Sequence, residues 1–558
     1  MSFLTKILPS WKNALLAVLA AVLLILAFPD FEYWFLAWFA LVPLMWAVER
    51  EKASTARSFV VGWLFGTIFF FGTCWWLTFA PIAYAGFPWP LAYFLMLCVS
   101  LAVGLFPAMF AGILAVLLRR FGSWGYLAAP FVWVFTEFLR YWVTGNNWNA
   151  VGYSQASVLP IVSLSSIGGV HAVSFMVLSP LIIWGFWGVH RRAMSHNLKY
   201  SRTLRALYSW STLQITTPSA IPTADVEADL ETTHEAVIVF TLLIVAFFVL
   251  IFTINLLSTG SVPIRAVGNV AKVVALQPNV PMSDLDQTKW GQLRQRQIEL
   301  AEAEIQKLTT DNRIPTTVIL PESPMNFMYE DDREFQKFIN DFARRNNVSV
   351  LFNSAEPDAT NGKYFNSAVM VSPQGREAAQ YDKIYLLPFG EAVPSFLEGI
   401  VPGFVGNFSY GREYDLLPLG DAKAGVMICF ESHFGQLSRR FVADGADVII
   451  EMTNDGYLGP TPVLRQHLAN AVFRAVETNR PVLRVTNVGI TAYIAEKGAI
   501  LDPAPSYQED TRVWSVSKSD GQQTFYVRYG DWFAWLCSAI TFILIALSFK
   551  TKRFADSN

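Results

Sequence analysis

Residues 424–431, Ala-Gly-Val-Met-Ile-Cys-Phe-Glu, decide how the more polar part of this chain reads. A short apolar run of strand length stops on a cysteine, and the stretch Phe430 to Phe441 that follows reads as helical. A strand-to-helix turn presents a side chain sharply, and the amide end of the helix favours a negative group there. A thiol in that position is a candidate nucleophile, so Cys429 becomes the centre of the reading. Working outward, short β-rich runs alternate with amphipathic stretches. Residues 269–276 read as the first strand. Ser283 to Thr309 follows as a polar helix, with Ser283 and Asp286 in capping-box spacing. Thr316–Leu320 is a strand, Asp331–Asn346 a helix, and Val348–Phe352 a strand. Phe365–Val371 and Arg376–Tyr381 flank Pro373-Gln-Gly375 as a hairpin, and Val448–Met452 is a further strand. Alternation on this scale predicts a layered α/β domain.

Two more groups stand where strands end. Glu322 follows Thr-Val-Ile-Leu-Pro, at the carboxyl end of a strand, where α/β sites form. Lys383 lies in Tyr381-Asp-Lys-Ile-Tyr-Leu-Leu-Pro-Phe-Gly-Glu391. Each has an ordinary explanation when taken singly. A Glu after a strand is commonly a solvated turn residue, a Lys among tyrosines snorkels, and a Cys ending a strand fills a core. An acid, an ammonium and a thiol in this order are more specific than any one of them. Cys74, Cys98 and Cys537 fall in apolar spans, which leaves Cys429 without a disulfide partner in its own region. No CxxC or Cys/His spacing suggests a metal site, and no cofactor is expected.

The rest of the chain is apolar. Overall it is 53% hydrophobic and 15% charged, against about 25% charged in ordinary globular chains. A net charge of −2 gives no reason to expect nucleic acid; lipid is the expected partner. Eight stretches approach the length of about 20 apolar residues that a spanning helix needs: Trp11–Phe28, Tyr33–Val48, Phe59–Ile82, Trp89–Leu118, Trp124–Val143, Leu159–Trp187, Ala236–Leu256 and Trp532–Phe549. The first follows Lys6 and Lys12 but ends in Phe-Pro-Asp without a small-residue cleavage site, so it reads as a retained helix. Arg50, Lys52 and Arg57 follow the second span, Arg119 and Arg120 the fourth, Arg191 and Arg192 the sixth, and Lys550, Lys552 and Arg553 the last. The alternate loops 29–32, 83–88 and 144–158 hold no Lys or Arg. Positive-inside bias then predicts both termini in the cytoplasm and the α/β domain outside. The expected organisation is a membrane domain over residues 1–258, with a disordered Ser/Thr-rich linker near 190–235, an outer domain over 259–530, and a last span with its tail over 531–558. Glu137 and Arg140 sit inside the fifth span. Charges there are functional candidates, the alternative being an i,i+3 ion pair that anchors the helix end.

Pro321-Glu-Ser323, Lys383 with Pro388-Phe-Gly-Glu391, and Ile428-Cys-Phe-Glu431 resemble the Glu-Lys-Cys motifs of the nitrilase superfamily. Within it, the chain resembles the apolipoprotein N-acyltransferase family over nearly its whole length. Gln277-Pro-Asn-Val-Pro281, Lys289-Trp290, Thr453-Asn-Asp-Gly456, Gln466-His467, Asn487-Val-Gly-Ile-Thr491 and the membrane segment Thr136-Glu-Phe-Leu-Arg140 are similar to that family too. The resemblance implies an eight-span body joined to an αββα nitrilase-like sandwich in a bacterial inner membrane, with the catalytic domain on the periplasmic side. It implies Glu322 as general base, Lys383 as oxyanion stabiliser and Cys429 as acyl carrier, with Glu391, Glu431, Phe430 and Trp290 in support. It further implies a phospholipid acyl donor, phosphatidylethanolamine, and a diacylglyceryl apolipoprotein acceptor. The chain departs from the family pattern at Leu320, where Trp is common, at Phe430, where Tyr is common, and in the loop Gly145-Asn-Asn-Trp148.

The apolar, Gly/Pro-broken segment Val393 to Phe408 is expected either to dip toward the bilayer as a lid, with Phe396 and Phe404 on it, or to be a buried core loop. Two other functions stay open at this stage. The triad alone permits a tethered amidase or nitrilase. A transporter with an outer binding domain would carry more charge in its spans than this chain does.

Overall fold

The computed structural model describes residues 7–182, 267–308, 314–322, 327–388, 390–393 and 408–550. Two sheets form the polar half. The first has the order β13-β1-β2-β3-β4-β5: Asp510–Lys518 beside Val267–Gln277, Thr316–Ile319, Ser349–Asp358, Lys363–Val371 and Glu377–Asp382, with β6 (Phe408–Ser409) paired to β4. The second runs β12-β11-β10-β9-β8-β7: Ile500–Leu501, Ala492–Ile494, Val482–Thr486, Val448–Thr453, Ala422–Ile428 and Leu416–Leu419.

Period-2 geometry explains why these strands are apolar on both faces. Val273 and Ala275 of β1, Leu351 of β3, and Ala368 and Met370 of β4 share a core with Val426, Ile428, Ile450 and Met452 of the second sheet. The residues between them, Val274, Leu276, Val350, Phe352, Val369 and Val371, point the other way. There they meet Ile298 and Ala301 of the helix Gln287–Leu308 and Phe335, Ile339 and Phe342 of the helix Arg333–Asn346. The second sheet is covered by the helices Gly435–Ala443 and Val463–Thr478. The layers are therefore αββα. The expected 373–375 hairpin is present between β4 and β5, with Gly375 at φ +65°. The polar helix begins later than expected, at Gln287, because the Asp286 carboxylate rather than Ser283 accepts the first-turn amide, from Lys289 at 2.8 Å.

The apolar half differs from the eight spans expected. Among the described residues four helical stretches are long and apolar enough to cross a membrane: Thr55–Ala83, Trp89–Thr144, Ser165–Ile182 and Trp532–Phe549. The expected first span is a shorter helix, Trp11–Ile25. The expected second is broken into Trp34–Leu36, Ala37–Ala40 and Val42–Glu51, the last with Pro43 in its first turn, where the missing amide proton does no harm. The expected fourth and fifth spans belong to one 56-residue helical stretch. It is interrupted at Gly104 and again by the 3₁₀ turn Gly122–Ala128, where Gly122 takes φ +56° and the chain turns so that Leu105–Phe121 packs on Ala129–Thr144. An apolar run records burial; Pro and Gly determine where helices begin and end. The expected seventh span, the 190–235 linker, the end of the sixth span and residues 394–407 of the lid segment lie outside the described residues.

The helix Val463–Thr478 seats the sandwich on the apolar bundle. Gln466 Oε1 accepts from the indoles of Trp148 at 2.8 Å and Trp76 at 3.1 Å, Glu477 accepts from the Val170 amide at 3.2 Å, and Arg465 pairs with Glu32 at 2.5 Å.

Candidate active site

Cys429 ends β8 and opens the 3₁₀ turn Cys429–His433. Its φ is +53°, a conformation that costs a non-glycine residue energy and is kept only where the surroundings hold it. Glu431 supplies part of that hold. Its carboxylate accepts from the Ile428 amide at 2.9 Å, the Ile384 amide at 2.7 Å, the Tyr385 amide at 3.1 Å and the Tyr381 hydroxyl at 2.8 Å. One buried side chain thus ties the cysteine turn to the loop that carries Lys383. Burial pushes the Glu431 carboxyl up to about 7.

Lys383 follows β5, is buried, and donates to Glu391 Oε1 at 2.8 Å, with Glu322 Oε1 at 4.0 Å. Glu322 follows β2 and accepts from the Asn454 amide at 3.0 Å through its other oxygen, and its charge acts on the Cys429 thiol. The structure therefore brings Glu322, Lys383, Cys429 and Glu391 into one cluster. Burial raises the Glu322 carboxyl, and Lys383 works against that rise. Burial disfavours the Lys383 ammonium, but Glu391 and Glu322 outweigh it and hold the proton on. The Cys429 thiol is pushed well up by burial and then by Glu322, with Lys383 opposing. With two carboxylates and one ammonium present, a thiolate would add a second uncompensated negative charge, so the resting cysteine is a thiol.

Sequence reading missed Asn366. Its Nδ2 lies 2.6 Å from Glu391 and 3.5 Å from Glu322, and its carbonyl accepts the Lys383 amide at 2.8 Å. The available signal was an Asn next to Ser367 in a strand, β4, that continues in the apolar run Ala368 to Val371. Phe430 follows the cysteine, its ring 5.0 Å from the His433 ring and 5.3 Å from that of Phe434. Trp290 sits in the first turn of the helix Gln287–Leu308, its indole N–H buried without a hydrogen-bond partner.

Glu137 and Arg140 both bind the loop that follows their helix. Glu137 accepts from the Val151 amide at 2.9 Å and the Trp133 indole at 3.2 Å. Arg140 donates to the Trp148 carbonyl at 2.7 Å and to Asn147 at 3.3 Å. That loop lays the Trp148 ring on His433, centroids 3.9 Å apart.

Comparison with known proteins agrees with this architecture. Residues 20–180 match the model of the apolipoprotein N-acyltransferase N-terminal domain, and residues 213–526, more than half of the chain, match that of the carbon-nitrogen hydrolases. An apolipoprotein N-acyltransferase of Geobacter metallireducens is 29% identical, over 97% of this chain and 96% of that one. One of Thermotoga maritima is also 29% identical, over 96% and 93%. Among solved structures, Nit3 of Saccharomyces cerevisiae, of the nitrilase superfamily, aligns at a TM-score of 0.33 and 16% identity, over 44% of this chain and 90% of that one. The chain belongs to the carbon-nitrogen hydrolase family, in its membrane-embedded apolipoprotein N-acyltransferase branch.

Proposed function

We propose that this protein transfers an acyl chain from a phospholipid, through a thioester on Cys429, to the N-terminal amine of the diacylglyceryl-cysteine of an apolipoprotein. The observation that carries the reading is a single thiol at a positive-φ turn, set between a carboxylate and a buried ammonium, in a domain seated on an apolar helical bundle. The relatives from Geobacter metallireducens and Thermotoga maritima are named apolipoprotein N-acyltransferases.

In the first half-reaction Glu322 takes the thiol proton as sulfur attacks the ester carbonyl of phosphatidylethanolamine. Lys383 and the Phe430 amide stabilise the oxyanion. The glycerol oxygen leaves with the proton from Glu322, releasing a lysophospholipid. In the second, the acceptor amine attacks the thioester, Glu322 takes the amine proton, and the sulfur departs and is reprotonated. Covalent catalysis of this form splits one exchange into two steps and gives ping-pong kinetics. A proton leaves Cys429 only as its bond to carbon forms, because the resting site already holds more negative than positive charge. Glu391 keeps Lys383 protonated, and Glu431 keeps the lysine loop against the cysteine turn. Trp290 is assigned with them on family resemblance. The distribution of Lys and Arg supports an inner-membrane chain with both termini in the cytoplasm and the catalytic domain on the periplasmic side.

Intact mass spectrometry after incubation with phosphatidylethanolamine tests the reading, comparing wild type with Cys429→Ala. One acyl mass on wild type, removed by hydroxylamine and absent from the variant, is the expected result. No adduct, with small amides hydrolysed instead, would hand the site to a hydrolase.

A further inference from the structure

Behind the cysteine turn lies a second charged cluster that the proposed reaction does not use. His467, on the helix Val463–Thr478, is buried, with Nδ1 2.7 Å from Asp455 Oδ1. Its Nε2 faces three oxygens: Ser432 Oγ at 2.8 Å, the Cys429 carbonyl at 3.1 Å and Glu451 Oε1 at 3.1 Å. Arg484 of β10 closes the cluster, 2.5 Å from Glu451 and 2.8 Å from Asp455. Each ring nitrogen looks at a carboxylate, and Nε2 looks at a carbonyl besides. Asp455 takes the Nδ1 proton; at Nε2 the Ser432 hydroxyl can donate or accept, but the Cys429 carbonyl and Glu451 can only accept, so a proton on Nε2 serves two of its three neighbours and the ring is an imidazolium.

The Cys429 carbonyl belongs to the same peptide unit as the Phe430 N–H. That unit is planar and trans, so its C=O and N–H point in opposite directions. As the second residue of the 3₁₀ turn, Phe430 has no acceptor for its amide within the turn. We propose that His467 is a positioning residue: its Nε2–H holds the Cys429 carbonyl from behind and so aims the Phe430 N–H at the acyl oxygen in front. This rests on the acyl-transfer reading above. A cationic donor on the carbonyl also polarises the peptide and makes its N–H a stronger donor. The strained φ of Cys429 shows why such an anchor is needed, since the turn would otherwise relax and rotate the amide away.

The charged and titratable groups around the ring are Glu451 from β9, Asp455 from the turn Asp455–Leu458, Arg484 from β10 and His433 from the cysteine's own turn, with ring centroids 5.4 Å apart. Arg474, on the same helix as His467, donates to the Ser432 carbonyl at 3.2 Å. Burial and the neighbouring imidazolium keep His433 well below its ordinary range, so it is neutral. For His467 burial and Arg484 oppose the proton, yet Asp455 and Glu451 outweigh them and raise it to about 9.

The test separates two reactions of the same sulfur in the full-length, detergent-solubilised protein. Alkylation by iodoacetamide is a direct displacement that needs no oxyanion donor; acylation by phosphatidylethanolamine does. Both rates are read by intact mass for wild type and His467→Gln. The expected result is acylation slowed by about 10²-fold in His467→Gln, as for a lost oxyanion donor, with alkylation within about twofold of wild type. Equal loss of both rates, or no loss of either, would overturn the proposal. Should His467→Gln fail to fold, the wild type supplies a second measurement: its acylation rate itself falls as pH rises through about 9, while its alkylation rate does not fall. An acylation rate that holds or rises over that range also overturns the proposal. A wild type that alkylates but never acylates refutes the acyl-transfer reading itself, a result distinct from either.

Discussion

Two buried charge clusters flank Cys429, and they are built differently. In front are Glu322, Lys383 and Glu391, two carboxylates against one ammonium, with contacts of 2.8 and 4.0 Å and both carboxylates 12% exposed. Behind are Glu451, Asp455, Arg484 and His467, two carboxylates against two cations, joined at 2.5–3.1 Å, none more than 4% exposed. The protonation directions differ as well. Burial raises Glu322 despite Lys383. Burial also acts to raise Glu451 and Asp455, but Arg484 and His467 overcome it and hold both below their ordinary range. The front cluster has one spare negative charge and a carboxylate ready to accept a proton. The rear one is balanced in charge. A site that must move protons is left slack and unbalanced; a scaffold of the same residue types is neutralised and tight.

The largest expected effect breaks the front cluster. Lys383→Met should slow thioester formation by about 10³-fold. Its melting temperature should change little, because Glu322 can take up a proton in place of the lost positive charge. Acylation is read by intact mass and stability by thermal denaturation; a variant that unfolds as readily as it loses activity would erase the contrast. Next is Arg484→Met in the rear cluster. With carboxylates held ionised, removing their main partner leaves buried charge unpaired, and about 3–5 kcal/mol of stability should be lost. Denaturant or thermal unfolding of the solubilised protein measures it, and a loss below about 1 kcal/mol would make the rear cluster as adaptable as the front.

The smallest effect is one of pH. His467 is raised in the folded state from 6.5 to about 9. Such a group adds stability that is complete below pH 6.5 and is lost as pH rises through about 9. The wild-type melting temperature should therefore fall more between those values than that of His467→Gln. Parallel curves would mean that the imidazolium adds nothing to the fold.

Much of this was legible along the chain. Strand-length apolar runs ending in Glu322 and Cys429, and the lysine loop at 381–391, named the groups that meet, because strand ends of two facing sheets converge on one edge of the sandwich. The alternation of strand and helix announced the layered domain, though β6, β7 and β10 to β13 went unread, most of them being short. Among the described residues the count of eight spans was not met, since Pro43 and Gly104 interrupt runs that hydrophobicity alone makes continuous, whereas the break at Gly122 falls where the fourth and fifth spans were expected to part. Sequence by itself determined which chemistry is present and that half of the chain is apolar: those follow from residue type and local period. Tertiary structure alone decided that Asn366 bridges two carboxylates, that Glu137 and Arg140 hold the loop carrying Trp148, and that His467 stands behind the nucleophile. Each depends on where distant backbone segments cross, and a hydrogen bond of about 3 Å cannot be inferred from spacing along one chain.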